Sequence, residues 1–149
     1  MALDFDAIAT ALAARYAPGL MSPPSGQAVL RLSTADLPQQ VTVTPAILVF
    51  PPNTGTLEYG ASTRQGESGF KLQFFYSMGV DMKRDSVALR KWLGVLLDQL
   101  RGAAQLGGIV ASARVDAWRT AKLTYGGDEF NGIELDVTIV TAEAWTATS

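Results

Sequence analysis

The sequence predicts an α+β fold in one domain spanning residues 1–149. It predicts a mostly antiparallel sheet with helices packed on one face and a long projecting β-hairpin. Two segments have the apolar spacing of helices, and a group of strand-like runs separates them, so helices do not alternate strictly with strands. The last third of the chain contains only strand-like runs and turns, which is typical of antiparallel pairing.

The first helix is predicted over residues 4–17. Asp4 is a suitable N-cap, and the pair Pro18-Gly19 ends the periodic pattern. The apolar residues at helical spacing are Phe5, Ile8, Leu12 and Tyr16.

Two strand-like segments follow the first helix. Residues 29–32 fit a short strand or a helical turn equally well. A strand is predicted over residues 41–50, where Pro45 indicates a strand start or a sheet edge because proline cannot donate to a ladder.

Residues 55–79 predict the long β-hairpin. Its outgoing arm is residues 57–64, and its returning arm is residues 70–77. The predicted tip is Gln65–Gly69, which is rich in glycine and polar residues as turns require. Because the outgoing arm is too polar for a core strand, we expect the hairpin to project from the body.

The longest helix is predicted over residues 81–101, with Asp81 or Asp85 as its cap and Gly102 in the left-handed position after its end. Trp92 is expected near the edge of its buried stripe. The stripe itself is predicted to comprise Val87, Leu89, Leu93, Leu96, Leu97 and Leu100.

The C-terminal third predicts three strands, over residues 110–118, 121–125 and 133–141. The second and third are joined at Tyr125-Gly126-Gly127-Asp128, a sequence typical of a hairpin turn.

Composition narrows the possible functions. The chain contains no cysteine, which excludes disulfides and thiolate metal sites, and no histidine, which removes the commonest general base. The net charge is −2 and no basic run of five or six residues occurs, so the sequence does not indicate nucleic-acid binding. The absence of cysteine and histidine narrows the possible enzyme chemistries to those of carboxylate, serine, lysine or tyrosine side chains. We expect a protein that works by contact, is not an enzyme and needs no cofactor or metal.

Glu134 and Asp136 lie two residues apart on a predicted strand and therefore point to one face. Paired carboxylates can bind a hard cation or perform acid–base chemistry. The favoured interpretation is a solvated strand face, because half-buried strands alternate apolar and polar residues in this way.

Some outer surface of the chain is a candidate contact surface. Charged residues make up only 17% of the sequence, which favours contact with copies or a partner about as strongly as it favours a compact domain with a mild surface. The polar hairpin arm and the aromatic residues beside turns are the candidates. The predicted subunit-interface residues are Tyr59, Arg64, Gln65, Glu67, Phe70 and Trp118.

Several segments carry a family resemblance. They are the N-terminal helix, the run Pro45-Ala46-Ile47-Leu48-Val49-Phe50-Pro51, the hairpin, and the leucine-rich helix followed by Ala104-Gln105-Leu106-Gly107-Gly108. The closest match is at the end: Val110 to Trp118, Tyr125-Gly126-Gly127, Phe130-Asn131-Gly132 and the strand from Ile133. In this order the chain resembles the tail terminator (tail-to-head joining, minor tail) proteins of long-tailed bacteriophages.

The resemblance implies a virion structural protein without active-site residues. Such subunits form a homohexameric ring that caps the tail tube, ends its polymerisation and joins it to the head connector or head-closure protein. DNA would pass through the channel without specific binding, and no membrane is involved. The expected location is the tail or neck of the virion, after assembly in the host cytoplasm.

Two alternatives stay open. One is another neck or tail component, such as a head-closure protein, a connector adaptor or a tube protein. The other is a small-molecule-binding α+β domain, which would need a concave pocket with convergent polar groups.

Overall fold

The computed structural model describes residues 4–61, 63–79, 81–101 and 105–144, so the helix end predicted at Gly102 lies outside the described residues. The helices are α1 (Phe5–Arg15) and α2 (Met82–Arg101), with a short 3-10 turn at Leu106–Gly108. The strands are β1 (Leu32–Thr34), β2 (Ala46–Val49), β3 (Thr54–Tyr59), β4 (Thr63–Met78), β5 (Ser112–Tyr125) and β6 (Asp128–Ala144).

These strands form one six-stranded sheet in the order β1-β2-β4-β6-β5, with β3 also paired to β4. Among the described residues, β1 and β2 pair in parallel and the other pairings are antiparallel. The first half of β4 pairs with β3 and its second half with β2, while β6 accompanies β4 along its other side. The predicted α+β class and mostly antiparallel sheet are confirmed.

Helix α1 begins as predicted and joins α2 through polar contacts. The Asp4 carboxylate accepts a hydrogen bond from the Ala7 amide at 2.9 Å, which satisfies a free donor of the first turn. The buried Tyr16 hydroxyl donates to the Leu96 carbonyl at 3.1 Å, and the Arg15 guanidinium donates to the Gln99 carbonyl at 2.7 Å. These bonds hold the end of α1 against α2.

Helix α2 is also where the sequence places it. Asp81 accepts from the Lys83 amide at 3.0 Å, so it is the capping residue. Asp85 is instead buried and accepts from the Asn131 amide at 2.8 Å and from the Ser77 hydroxyl, which ties the start of α2 to the sheet. Burial raises the pKa of Asp85, but its hydrogen bonds from Arg84, Asn131 and Ser77 outweigh this and lower the pKa below its usual value.

The predicted buried stripe of α2 wrongly includes Val87 and omits Trp92. Val87 is 52% exposed, whereas Trp92, expected near the edge, is fully buried. The Trp92 ring lies 4.9 Å from the Phe74 ring, centroid to centroid, so the large aromatic side chain sets which side of the helix faces the sheet.

The predicted hairpin tip at Gln65–Gly69 is also wrong, because these residues lie within β4. The turn is earlier, between Tyr59 and Thr63, where the Gly60 amide donates to the Thr63 carbonyl at 2.8 Å. Gly66 and Gly69 instead allow β3 and β4 to pack closely together. A Cβ on Gly69 would lie 2.5 Å from Thr54 Oγ1, and a Cβ on Gly66 would lie 3.0 Å from Leu57 Cδ2.

Two other strand predictions need correction. The predicted strands 110–118 and 121–125 are replaced by one strand, β5, which begins two residues later than predicted, at Ser112, and contains a register irregularity between Val115 and Ala117. Only Ala46–Val49 of the predicted strand 41–50 is extended in the sheet. The predicted turn before β6 is confirmed: Gly126 and Gly127 have φ values of 61° and 88°, which favour glycine in a tight hairpin.

The sheet separates two cores. Both helices pack on one face, where the apolar side chains of β4 and β6 meet those of α1 and α2. On the other face, here called the open face, a smaller core contains Val41, Ala46, Leu48, Phe75, Leu123 and Phe130. This second core lies at one end of the sheet, where the aromatic rings of Phe75 and Phe130 meet edge to face at 5.2 Å.

Leu96→Ala is expected to lower the free energy of unfolding by about 2–5 kcal/mol, because the side chain is fully buried under the sheet. Thermal or denaturant unfolding measures the change. Val87→Ala, on the exposed side of the same helix, is the control and should change stability by less than about 0.5 kcal/mol. Equal effects of the two substitutions would contradict the assigned helix face.

Candidate subunit interface

Four of the six predicted interface residues come together on the β3–β4 hairpin. Tyr59 pairs with Arg64 in register, and Gln65 and Glu67 follow on β4 opposite Glu58 and Thr56. All six residues of β3 are exposed, with Leu57 at 48% and Tyr59 at 58%. The outer strand of the hairpin, β3, is therefore exposed along its whole length.

Phe70 does not belong to this surface and is a correction to the predicted set. Its side chain is 1% exposed and packs in the main core, with its ring 6.4 Å from that of Phe5. The alternation of β4 explains the difference, because Phe70, Leu72 and Phe74 all point to the helices.

Trp118 lies on a separate surface at the other margin of the sheet. It is 51% exposed on β5, and within the described ranges β5 pairs only with β6. Residues 116–120 of this strand are all exposed. An exposed tryptophan on an edge strand is a typical anchor for a partner.

An open groove of about 510 Å³ lies beside Trp118, between the end of α2 and the first half of β5. We call it the Trp118 groove. Its lining residues are Leu97, Leu100, Arg101, Ala113, Arg114, Val115, Asp116 and Trp118. The predicted buried stripe places Leu97 in the core, and the groove is not predicted from the sequence. The sequence feature that could have indicated the groove is the apolar side of α2 near its C-terminal end. Only the strand register shows that β5 leaves this end uncovered.

The open face carries a network of charges centred on Glu134. Its carboxylate accepts hydrogen bonds from Lys71 at 3.1 Å, Gln73 at 2.8 Å and Arg119 at 3.0 Å. The expected solvated strand face is thus wrong for Glu134, which is 6% exposed. It holds for Asp136, whose side chain is 50% exposed and lies 3.2 Å from the Lys71 ammonium.

The environment of Glu134 keeps it ionised. Burial raises its pKa, but the hydrogen bonds from Arg119, Gln73 and Lys71 outweigh this and lower the pKa to about 2. A carboxylate with this pKa is a poor general base near neutral pH. The hydrogen bonds of Glu134 connect β6 to β4 and to β5.

A second group of charges lies further along the same face. Arg114 lies 2.8 Å from Asp116 and 3.9 Å from Glu67. Hydrogen bonding from Thr138 and Arg114 lowers the pKa of Asp116 below its usual value. These side chains are about half exposed, so each ion pair contributes little to stability.

Among the residues that the structure describes, no three acidic side chains are placed to hold a metal ion. A scan against protein-family models and a search of curated proteins found no match to this chain. In the described part of the chain, no helix has the length and apolar character needed to cross a membrane.

Glu134→Gln is expected to lower the free energy of unfolding by about 1–3 kcal/mol at neutral pH, because charge-assisted hydrogen bonds to a buried carboxylate are lost. The pKa of Glu134 falls from 4.5 to about 2 on folding, so its contribution is present above pH 4.5 and disappears as the pH falls toward about 2. Unfolding measured between pH 7 and pH 2 should therefore show a smaller acid dependence in the variant.

Asp136→Asn is the matched control, two residues along the same strand face. Its carboxylate is half exposed and lies 3.2 Å from the Lys71 ammonium. We expect a loss below about 1 kcal/mol. A loss equal to that of Glu134→Gln would contradict the assigned role of the buried carboxylate.

Proposed function

We propose that the chain is a structural subunit of a phage virion, a tail terminator that assembles as a ring. The ring caps the tail tube, ends its polymerisation and joins it to the head connector or head-closure protein. The observation that carries this proposal is the β3–β4 hairpin, whose outer strand is exposed at every residue. In the ring, this hairpin projects from the body of the subunit and contacts a neighbour.

An exposed edge strand supports a function by contact. The outer side of such a strand can pair with another strand, and natural proteins usually shield such edges with charges, prolines or bulges. Strand β3 (Thr54–Tyr59) contains one charged residue and no proline. The side chains of Leu57 and Tyr59 are exposed on the same side of the strand. An interface with another chain would remove this apolar surface from water.

The charge of the chain fits a ring around DNA. With a net charge of −2, the subunit does not attract phosphates as a whole, and a ring of copies multiplies the negative charge. DNA can then slide through the channel without being held.

The purified chain is expected to form a closed oligomer of defined size, because contacts that are not self-complementary close into a ring or continue as a filament. Native mass spectrometry gives the number of subunits, and electron microscopy shows the shape. Long stacked polymers would identify a tube subunit instead. Antibody labelling of virions should mark the junction of head and tail, and labelling elsewhere would contradict the tail terminator assignment.

Leu57→Asp is expected to preserve the melting temperature but to reduce the oligomer at least tenfold, because a carboxylate would be buried in the contact. Val87→Asp is the control, since Val87 is similarly exposed, at 52%, but lies on α2. Light scattering over a concentration series measures both. A variant Leu57→Asp that assembles as well as the control would exclude β3 from the interface.

A further inference from the structure

The two exposed edge strands lie at opposite margins of the sheet. Strand β3 pairs on one side of β4, and β5 is separated from β4 by β6 on the other side. A contact between β3 of one copy and β5 of another would therefore join two different surfaces. Such a contact repeats from copy to copy and can close as a ring, which a contact between two identical edges cannot do.

The exposed apolar side chains of the two edges lie on the same face of the sheet. Leu57 pairs in register with Gly66, and Gly66 pairs with Thr141 of β6. Trp118 pairs with Leu135 of the same strand β6, an even number of residues away. Because side chains alternate along a strand, Leu57, Tyr59 and Trp118 all point to the helix face. Extending the sheet from β5 to β3 would thus place Leu57 and Tyr59 beside Trp118.

The Trp118 groove can receive these side chains. It opens on the helix face, where Leu97, Leu100 and Val115 provide an apolar wall next to the exposed indole. Its volume of about 510 Å³ lies in the range of roughly 300–1,000 Å³ that is typical of binding sites. A leucine and a tyrosine two residues apart on a strand are separated by roughly 7 Å, which suits adjacent positions along such a groove.

Charge on the other face agrees with the same pairing. Glu58 lies between Leu57 and Tyr59 and therefore points to the open face. On β5, the open face presents Arg114 and Arg119, which pair with Asp116 and Glu134 within the chain and whose side chains are still 53% and 60% exposed. Opposite charges on neighbouring strands favour pairing and disfavour other registers.

We propose that β3 of one copy lies along β5 of the next copy, with Leu57 and Tyr59 in the Trp118 groove and Glu58 on the side of the two arginines. This assignment rests on the proposed ring and identifies the two surfaces that close it. Backbone hydrogen bonds between the edge strands provide the pairing, and the groove selects its position.

Cysteine cross-linking tests the assignment cleanly because the chain has no cysteine of its own. Thr56→Cys and Ala117→Cys place thiols at exposed positions on the open face of the two edges, without altering Leu57, Tyr59 or Trp118. The two variants are mixed and treated with a short bismaleimide. We expect covalent dimers that contain one copy of each variant, identified by mass spectrometry of the linked peptides.

Thr10→Cys replaces Thr56→Cys in the control mixture, because Thr10 is also exposed but lies on α1. This mixture should give at most background cross-linking. Dimers formed by Ala117→Cys alone would show that β5 pairs with itself and would overturn the assignment. The absence of mixed dimers, whether or not the protein assembles, would also overturn it.

Trp118→Ala is expected to reduce both assembly and the mixed cross-link about tenfold or more, as removal of a central aromatic anchor does. Trp118→Phe should restore most of both. A ring without the mixed cross-link would refute only this pairing, whereas a cross-linked ring absent from the junction of head and tail would refute only the proposed function.

Discussion

The antiparallel pairing of β4 with β6 is the constraint on which the rest of the structure depends. The register runs from Thr63 opposite Ala144 to Met78 opposite Phe130. Where the helices pack on these strands, the inward residues are large and apolar, as at Phe70 and Leu135. Nearer the start of β4 the residues on the same face are smaller or more polar, as at Gly66, Ser68 and Thr141, and this part of β4 also pairs with β3.

Over part of the open face, charges replace apolar packing, while the smaller apolar core occupies one end of that face. Glu134 is buried by the side chains that bind it, and the free energy of removing a carboxylate from water is offset by three donors from two neighbouring strands. Lys71 and Arg119 remain partly exposed and keep the face in contact with water. The network therefore fixes the relative positions of β4, β6 and β5 while leaving the face polar.

A sheet with this construction has two margins that differ in shape. On one margin β3 presents a nearly uncharged strand, and on the other β5 presents an exposed tryptophan beside a groove. A protein that acts by contact needs surfaces of this kind more than it needs converging ionisable groups. The proposed ring would explain why the chain retains exposed apolar side chains on both of these strands.

The sequence by itself determined the α+β class, both helices, the Asp4 cap and the Gly126-Gly127 turn, because spacing, capping and turn chemistry are local. It did not determine the hairpin turn, the burial of Glu134 or that of Phe70. Glycine occurs both in turns and where two strands pack closely. Gly66 and Gly69 therefore suggested a hairpin tip, although they pack against Leu57 and Thr54. Strand register alone decided these points and formed the Trp118 groove, since it brings together residues far apart along the chain.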